Sequence, residues 1–311
     1  MFFRDEVVMN YLSVAILLIF PWWGIVLGTW GFIWGMLMLL AVFWVGLRRG
    51  LPLAALFLLF GYMIPLIVFG VTAFKLMSLV PLAGLLGILG WSKHWPVRVV
   101  FFWSAALAAV LGTIPFLLYL AQGFSALPTN DIINTTIQQY QASGLMEMMQ
   151  QQGISEVQVR DLLQRIIEIY TLSLPGFAAL AALIEYGIAY YIMRIWVYKE
   201  KGKIPFARWR LPWYAIWGAV LGISFYLIGD QFSWTFLRVL GINIMVVYAG
   251  IALVLGISAA VYLFKKIKIP RFLKIALIIV GFFYFYYSVI GLIIFGLFDL
   301  VLNFRRLPEE M

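Results

Sequence analysis

The stretch RIWVYKEKGKIPFARWR, Arg194 to Arg210, decides how this chain is read. It carries six basic residues and one acid, and long apolar segments flank it on both sides. Hydrophobic residues make up 65% of the 311-residue chain, and the mean hydropathy is +1.01. That composition belongs to an integral membrane protein. In such a chain a short, strongly basic loop reads as cytoplasmic, because lysine and arginine are retained on that side. Every other loop is then counted inward or outward from this one.

Two further short basic loops, Trp91–Arg98 (WSKHWPVR) and Lys265–Lys274 (KKIKIPRFLK), and the pair Arg48–Arg49 fall on the same side by that rule. The net charge of +9 therefore follows membrane topology, and no nucleic-acid partner is expected. Residues 121–172 have the opposite balance, with five acids, two arginines and no lysine. They read as an extracytoplasmic loop inserted between the fifth and sixth membrane segments of a single integral membrane domain, 1–311. Within the loop, Ser155 and Gln158 form a capping-box pattern. Glu156–Arg160 and Asp161–Arg165 are i,i+4 pairs. Leu162, Leu163, Ile166, Ile167 and Tyr170 give an apolar stripe at helical spacing. An amphipathic helix on the membrane surface or capping the bundle is expected there.

The expected fold is all-α, a polytopic transmembrane helical bundle of about eight to ten membrane segments of about 20 residues each. Residues 7–47 are almost continuously apolar and suit two spans, with a break near Gly28–Gly31. The N-terminal MFFRDEVVMNYLSVAILLIF lacks a small-residue cleavage pattern and reads as an uncleaved first span. Gly84, Gly87 and Gly90 make a flat packing face, as do Gly218 and Gly222. The last apolar stretch, 272–302, is long for one span and short for two. One pass puts Arg305 and Arg306 outside; a tight hairpin puts them inside.

The chain has no cysteine and one histidine, His94. Disulfides, thiolate metal sites and cysteine nucleophiles are thereby excluded, and a lone histidine makes no three-ligand site. There is no Walker loop. The reading is non-enzymatic: no catalytic residue, no cofactor and no metal. Three polar residues within or at the edge of spans are the ligand-binding candidates. Glu185 lies deep in the sixth span among Tyr186, Tyr190 and Tyr191, where an ionisable group is either hydrogen-bonded to a neighbouring helix or in contact with a proton or substrate. Asn243 either joins helices or contacts a ligand. Lys75 either snorkels to the interface or faces a cavity.

Several short segments together carry a resemblance. They are Ile204-Pro205 with Trp209-Arg210-Leu211-Pro212, Gly241-Ile242-Asn243 with a second Ile-Pro at 269–270, and Gly296-Leu297-Phe298-Asp299 with Asn303-Phe304-Arg305-Arg306-Leu307. On these the chain resembles the YybS-like family of bacterial multi-pass membrane proteins. The resemblance implies a bacterial cytoplasmic-membrane location. It also implies shared ancestry with the S components of energy-coupling-factor vitamin transporters, which bind a small solute in a helical bundle and depend on a separate energising module. The expected partners are then the lipid bilayer, a small-molecule solute and a membrane energising module or other membrane protein. The competing expectation is a non-catalytic membrane scaffold in envelope or sporulation processes.

Overall fold

The computed structural model describes residues 8–19, 31–70, 77–121, 129–195, 205–266 and 270–307. Among these residues there are helices and turns and no β-strand, so the fold is all-α as expected. A membrane explains this: a helix satisfies its own backbone N–H and C=O groups, and hydrocarbon offers them no other partner. By contact the chain divides into two compact units, Met1–Met193 and Arg194–Met311. The division falls at the start of the basic stretch.

The first unit contains α1 (Val8–Ile19), α2 (Gly31–Arg49), α3 (Leu51–Phe69), α4 (Pro81–Ser92), α5 (Val97–Ala121), α6 (Thr129–Ala142), α7 (Leu145–Gln151) and α8 (Glu156–Met193). Residues 7–47 thus supply two helices. Positions 28–30 of the expected break lie outside the described residues, as do Pro21, Trp22 and Trp23. Gly50, at φ 94°, turns the chain between α2 and α3 in a conformation that favours glycine. α8 packs on α2 and α5, and α4 packs on the same two helices. The glycine face of α4 makes room for its neighbours: a Cβ on Gly84 would press on Val42 and Leu39 of α2, one on Gly87 on Phe43 of α2 and the Tyr186 hydroxyl of α8, and one on Gly90 on Val100 of α5.

The amphipathic helix expected near 154–170 is the first part of α8, a continuous helix of 38 residues that runs on into the apolar span. Its capping box is formed: the Ser155 N–H donates to Gln158 Oε1 at 2.8 Å, and the Gln158 N–H donates to Ser155 Oγ at 3.3 Å. Glu156–Arg160 and Asp161–Arg165 pair at 3.8 and 3.1 Å. The expected apolar stripe divides in two. Leu163 and Ile167 pack with Val159 against Ile133, Ile137 and Met146 of α6 and α7, whereas Leu162, Ile166 and Tyr170 are exposed.

The second unit contains two single-turn 3-10 segments, Phe206–Arg208 and Trp213–Ala215, followed by α9 (Ile216–Gln231), α10 (Thr235–Lys266), α11 (Arg271–Phe283) and α12 (Phe285–Leu302). α9 and α10 form a tight hairpin, with Gly222 against Ile244 and Met245. α10 and α12 cross at Gly256 and Gly296, where a Cβ on either residue would overlap a backbone carbonyl of the other helix, Leu292 or Ala252.

Six helices among the described residues are long and apolar enough to cross a membrane: α3, α5, α8, α9 with the turn before it, α10 and α12. α1, α4 and α11 are apolar but shorter. At 12 and 13 residues, α4 and α11 reach roughly 20 Å against a hydrocarbon core of about 30 Å. The stretch 272–302 is two helices that meet at Tyr284. After α12 the tail folds back on segment 205–210, so Arg305 stands at the same end of this unit as that segment, which is the hairpin arrangement.

Candidate functional site

In the first unit the candidate site centres on Glu185. α8 buries one face here, with Ala179, Ala182, Glu185, Tyr186, Ala189, Tyr190 and Met193 inward, one or two residues per turn. Glu185 is 4% exposed, and its Oε1 has no hydrogen-bond partner among the described residues. The carboxyl lies against Gly35 of α2, so closely that a Cβ at that position would overlap Oε1. Gly35 therefore gives the carboxylate its room. Tyr62 of α3 lies within electrostatic reach of Glu185, but its hydroxyl donates to the Ser78 carbonyl at 2.6 Å. An acceptor held in apolar surroundings without a donor costs free energy, so it calls for a proton, a water or a ligand.

Beside it on α8, Tyr186 and Tyr190 enter a cluster of rings. Tyr186 meets Phe43 of α2 edge-on at 5.9 Å, and Tyr190 stacks on Trp91 of α4 at 5.4 Å and leans on Phe101 of α5 at 5.0 Å. Tyr191, a sequence neighbour of Glu185, is 49% exposed and lies outside this cluster. The helical period separates three tyrosines that look equivalent in the sequence.

The other two candidates do not join Glu185. Asn243 belongs to the second unit, where its side-chain amide donates to the Val239 carbonyl one turn back on its own helix, at 2.7 Å. Lys75 lies outside the described residues.

The second unit holds a polar centre that reasoning from sequence did not single out as a site. Arg305 is 2% exposed, Asp299 1% and Ser258 0%. Arg305 donates through Nε to Asp299 Oδ2 at 2.9 Å and pairs with the same oxygen through Nη2, an ion pair at 2.7 Å. Nη1 donates to the Ala207 carbonyl and to Ser258 Oγ, both at 2.9 Å, and Nη2 also donates to the Trp209 carbonyl at 2.8 Å. Ser258 Oγ in turn donates to the Phe206 carbonyl at 2.6 Å. Four hydrogen bonds thus leave the guanidinium, at least one from each of its three nitrogens, beside the ion pair with Asp299. The signal for this centre was present in the residues that carry the family resemblance, but a charged tail reads as solvated until its fold is known. Among the described residues, no group of three or more histidine, aspartate or glutamate side chains stands together as a metal site would require.

No curated protein and no solved structure matches this chain. A family described as "Predicted membrane protein (DUF2232)" matches residues 13–300 and so takes in nearly all of both units. The length of that match, together with the apolar helices and the segments quoted above, decides the assignment: this is a multi-pass membrane protein that belongs to the DUF2232, or YybS-like, family.

Proposed function

We propose that this chain is a non-catalytic solute-recognising component of a bacterial cytoplasmic-membrane transport system, similar in role to an S component, and that Glu185 is its recognition group. The observation that carries this reading is the buried Glu185 Oε1, without a donor among the described residues and seated against a glycine. A carboxylate in that position suits a solute that brings a cationic nitrogen or an N–H or O–H donor. Such a protein depends on a separate energising module in the same membrane. Asn243 is a weaker candidate because its amide already bonds its own helix.

The test is a thermal-stability screen of the purified protein against vitamins, nucleobases and amino acids, repeated with E185Q. A solute at about 100 times its Kd stabilises the folded state by about 2.7 kcal/mol. Stabilisation of the wild type and not of E185Q is the expected result. Equal stabilisation of both removes Glu185 from the site. A membrane scaffold is the second reading, favoured by the closely packed rings of Phe43, Trp91, Phe101, Tyr186 and Tyr190 beside the carboxylate. It expects no compound to stabilise either protein.

The reading includes a topology, with Arg194–Arg210 inside and residues 121–172 outside, all within one membrane domain. In a chain without native cysteine, G144C should react with an impermeant maleimide in intact cells and G202C should not. The reverse pattern overturns the orientation.

A further inference from the structure

We propose that the oxygens of Phe206, Ala207, Trp209, Ser258 and Asp299 form a guanidinium-binding site, which the chain fills from within by inserting Arg305 on its C-terminal tail. The acceptors come from three places: the segment after Pro205, helix α10 and the last turn of α12. The 3-10 turn after Pro205 is closed by the Arg208 N–H on the Pro205 carbonyl and the Trp209 N–H on the Phe206 carbonyl, at 2.8 and 3.0 Å. That leaves the Ala207 and Trp209 carbonyls to face the guanidinium. Asp299 supplies the negative charge, and Ser258 relays a hydrogen bond from Arg305 to the Phe206 carbonyl.

This geometry selects the guanidinium and not merely a cation. Four hydrogen bonds at 2.8 to 2.9 Å leave the three nitrogens of one plane, with the ion pair to Asp299 alongside, whereas an ammonium offers three donors around a point. Asp299 Oδ1 is buried with no partner among the described residues even when Arg305 is seated, so the site holds one more acceptor than the arginine uses. Residues 303–307 follow α12 directly and deliver Arg305. They are seated by reciprocal bonds between the Asn303 side chain and the Leu307 backbone at 2.9 and 3.0 Å. Arg210 Nη1 donates to the Leu307 carbonyl at 3.2 Å, and Phe304 stacks on Phe295 at 5.7 Å. The tail is thus a strap across segment 205–210, and Arg305 is its pin. Withdrawing the pin leaves a buried carboxylate and inward-facing carbonyls that a guanidinium group from elsewhere can occupy. This inference is independent of the reading of Glu185.

The experiment uses the full chain in detergent, with A207C as its single cysteine, since Ala207 is buried and the chain has no native cysteine. Maleimide labelling of A207C should be slow. In A207C/R305A it should rise by roughly tenfold or more, because charge-assisted hydrogen bonds no longer hold the strap. Methylguanidinium, at concentrations too low to unfold the protein, should return labelling to the slow rate, and methylammonium should not. In A207C/R305A/D299N neither should act. The proposal is overturned if methylguanidinium fails to slow labelling of A207C/R305A, if methylammonium slows it equally, or if the effect survives D299N. Should the R305A protein fail to purify, A207C/R305K decides: fast labelling supports the proposal, and labelling as slow as with arginine overturns it.

Discussion

The two units each bury a carboxylate and treat it in opposite ways. In the second, Asp299 is paired through Oδ2 with the Arg305 guanidinium, and four stretches of chain are joined through that group. In the first, Glu185 is similarly enclosed, yet no cationic side chain among the described residues pairs with it, and the neighbour that makes room for its Oε1 is a glycine. Burial alone therefore does not identify function. A buried carboxylate paired with a guanidinium is a fastening. A buried carboxylate with no cationic partner is a place where something else can bind, because its desolvation is uncompensated until a proton or ligand arrives.

The sharpest way to break this contrast is to remove one partner of the fastening. R305A and D299A should each lower unfolding stability by about 3–5 kcal/mol, since either leaves an unpaired buried charge or a set of unpaired buried groups. The double change D299L/R305M should cost less than either single change. Denaturant titration in detergent measures both, and strictly additive losses would show that the pair is not coupled.

Glu185 should respond differently. G35A places a methyl group where Oε1 now lies and should cost about 1–3 kcal/mol through overpacking. It should also abolish any solute-dependent stabilisation. E185Q keeps the shape and should change stability by less than about 1.5 kcal/mol. A loss with E185Q as large as that with R305A would make Glu185 a second fastening and dissolve the comparison.

The N-terminal part of α8 tests how far burial on one helix face governs stability. L163D points a charge into the cluster of Ile133, Ile137, Met146 and Val159 and should cost about 2–4 kcal/mol. I166D, at an exposed position three residues on, should stay within about 0.5 kcal/mol. Hydrogen exchange across 154–170 reads the difference, and equal deprotection by both changes would refute the assignment of the buried face. The smallest effect is expected at the cap. S155A removes one half of the capping box and should cost about 1 kcal/mol, visible as faster exchange in the first turn of α8 only.

Much of the architecture was legible because it rests on local rules. Apolar runs long enough to cross hydrocarbon must be helical, so the helical class and most of the spans could be read directly. The capping box and the i,i+4 pairs of α8 were equally readable, because all their partners lie within four residues. Glu185 stood out for the same reason: a carboxylate in an apolar run is anomalous in one dimension.

What the sequence left open is what depends on distant partners. The long helix α8 joins an amphipathic segment to a span because α6 and α7 cover part of its N-terminal half, and a stripe of five apolar residues does not say which of them those helices will touch. The hairpin at Tyr284 was undecided until Arg305 was found on the carbonyls of Ala207 and Trp209, nearly a hundred positions earlier in the chain. A buried arginine and a solvated one have the same sequence signature. Only tertiary structure distinguishes them, because the acceptors that make burial tolerable are supplied by segments that the chain brings together on folding.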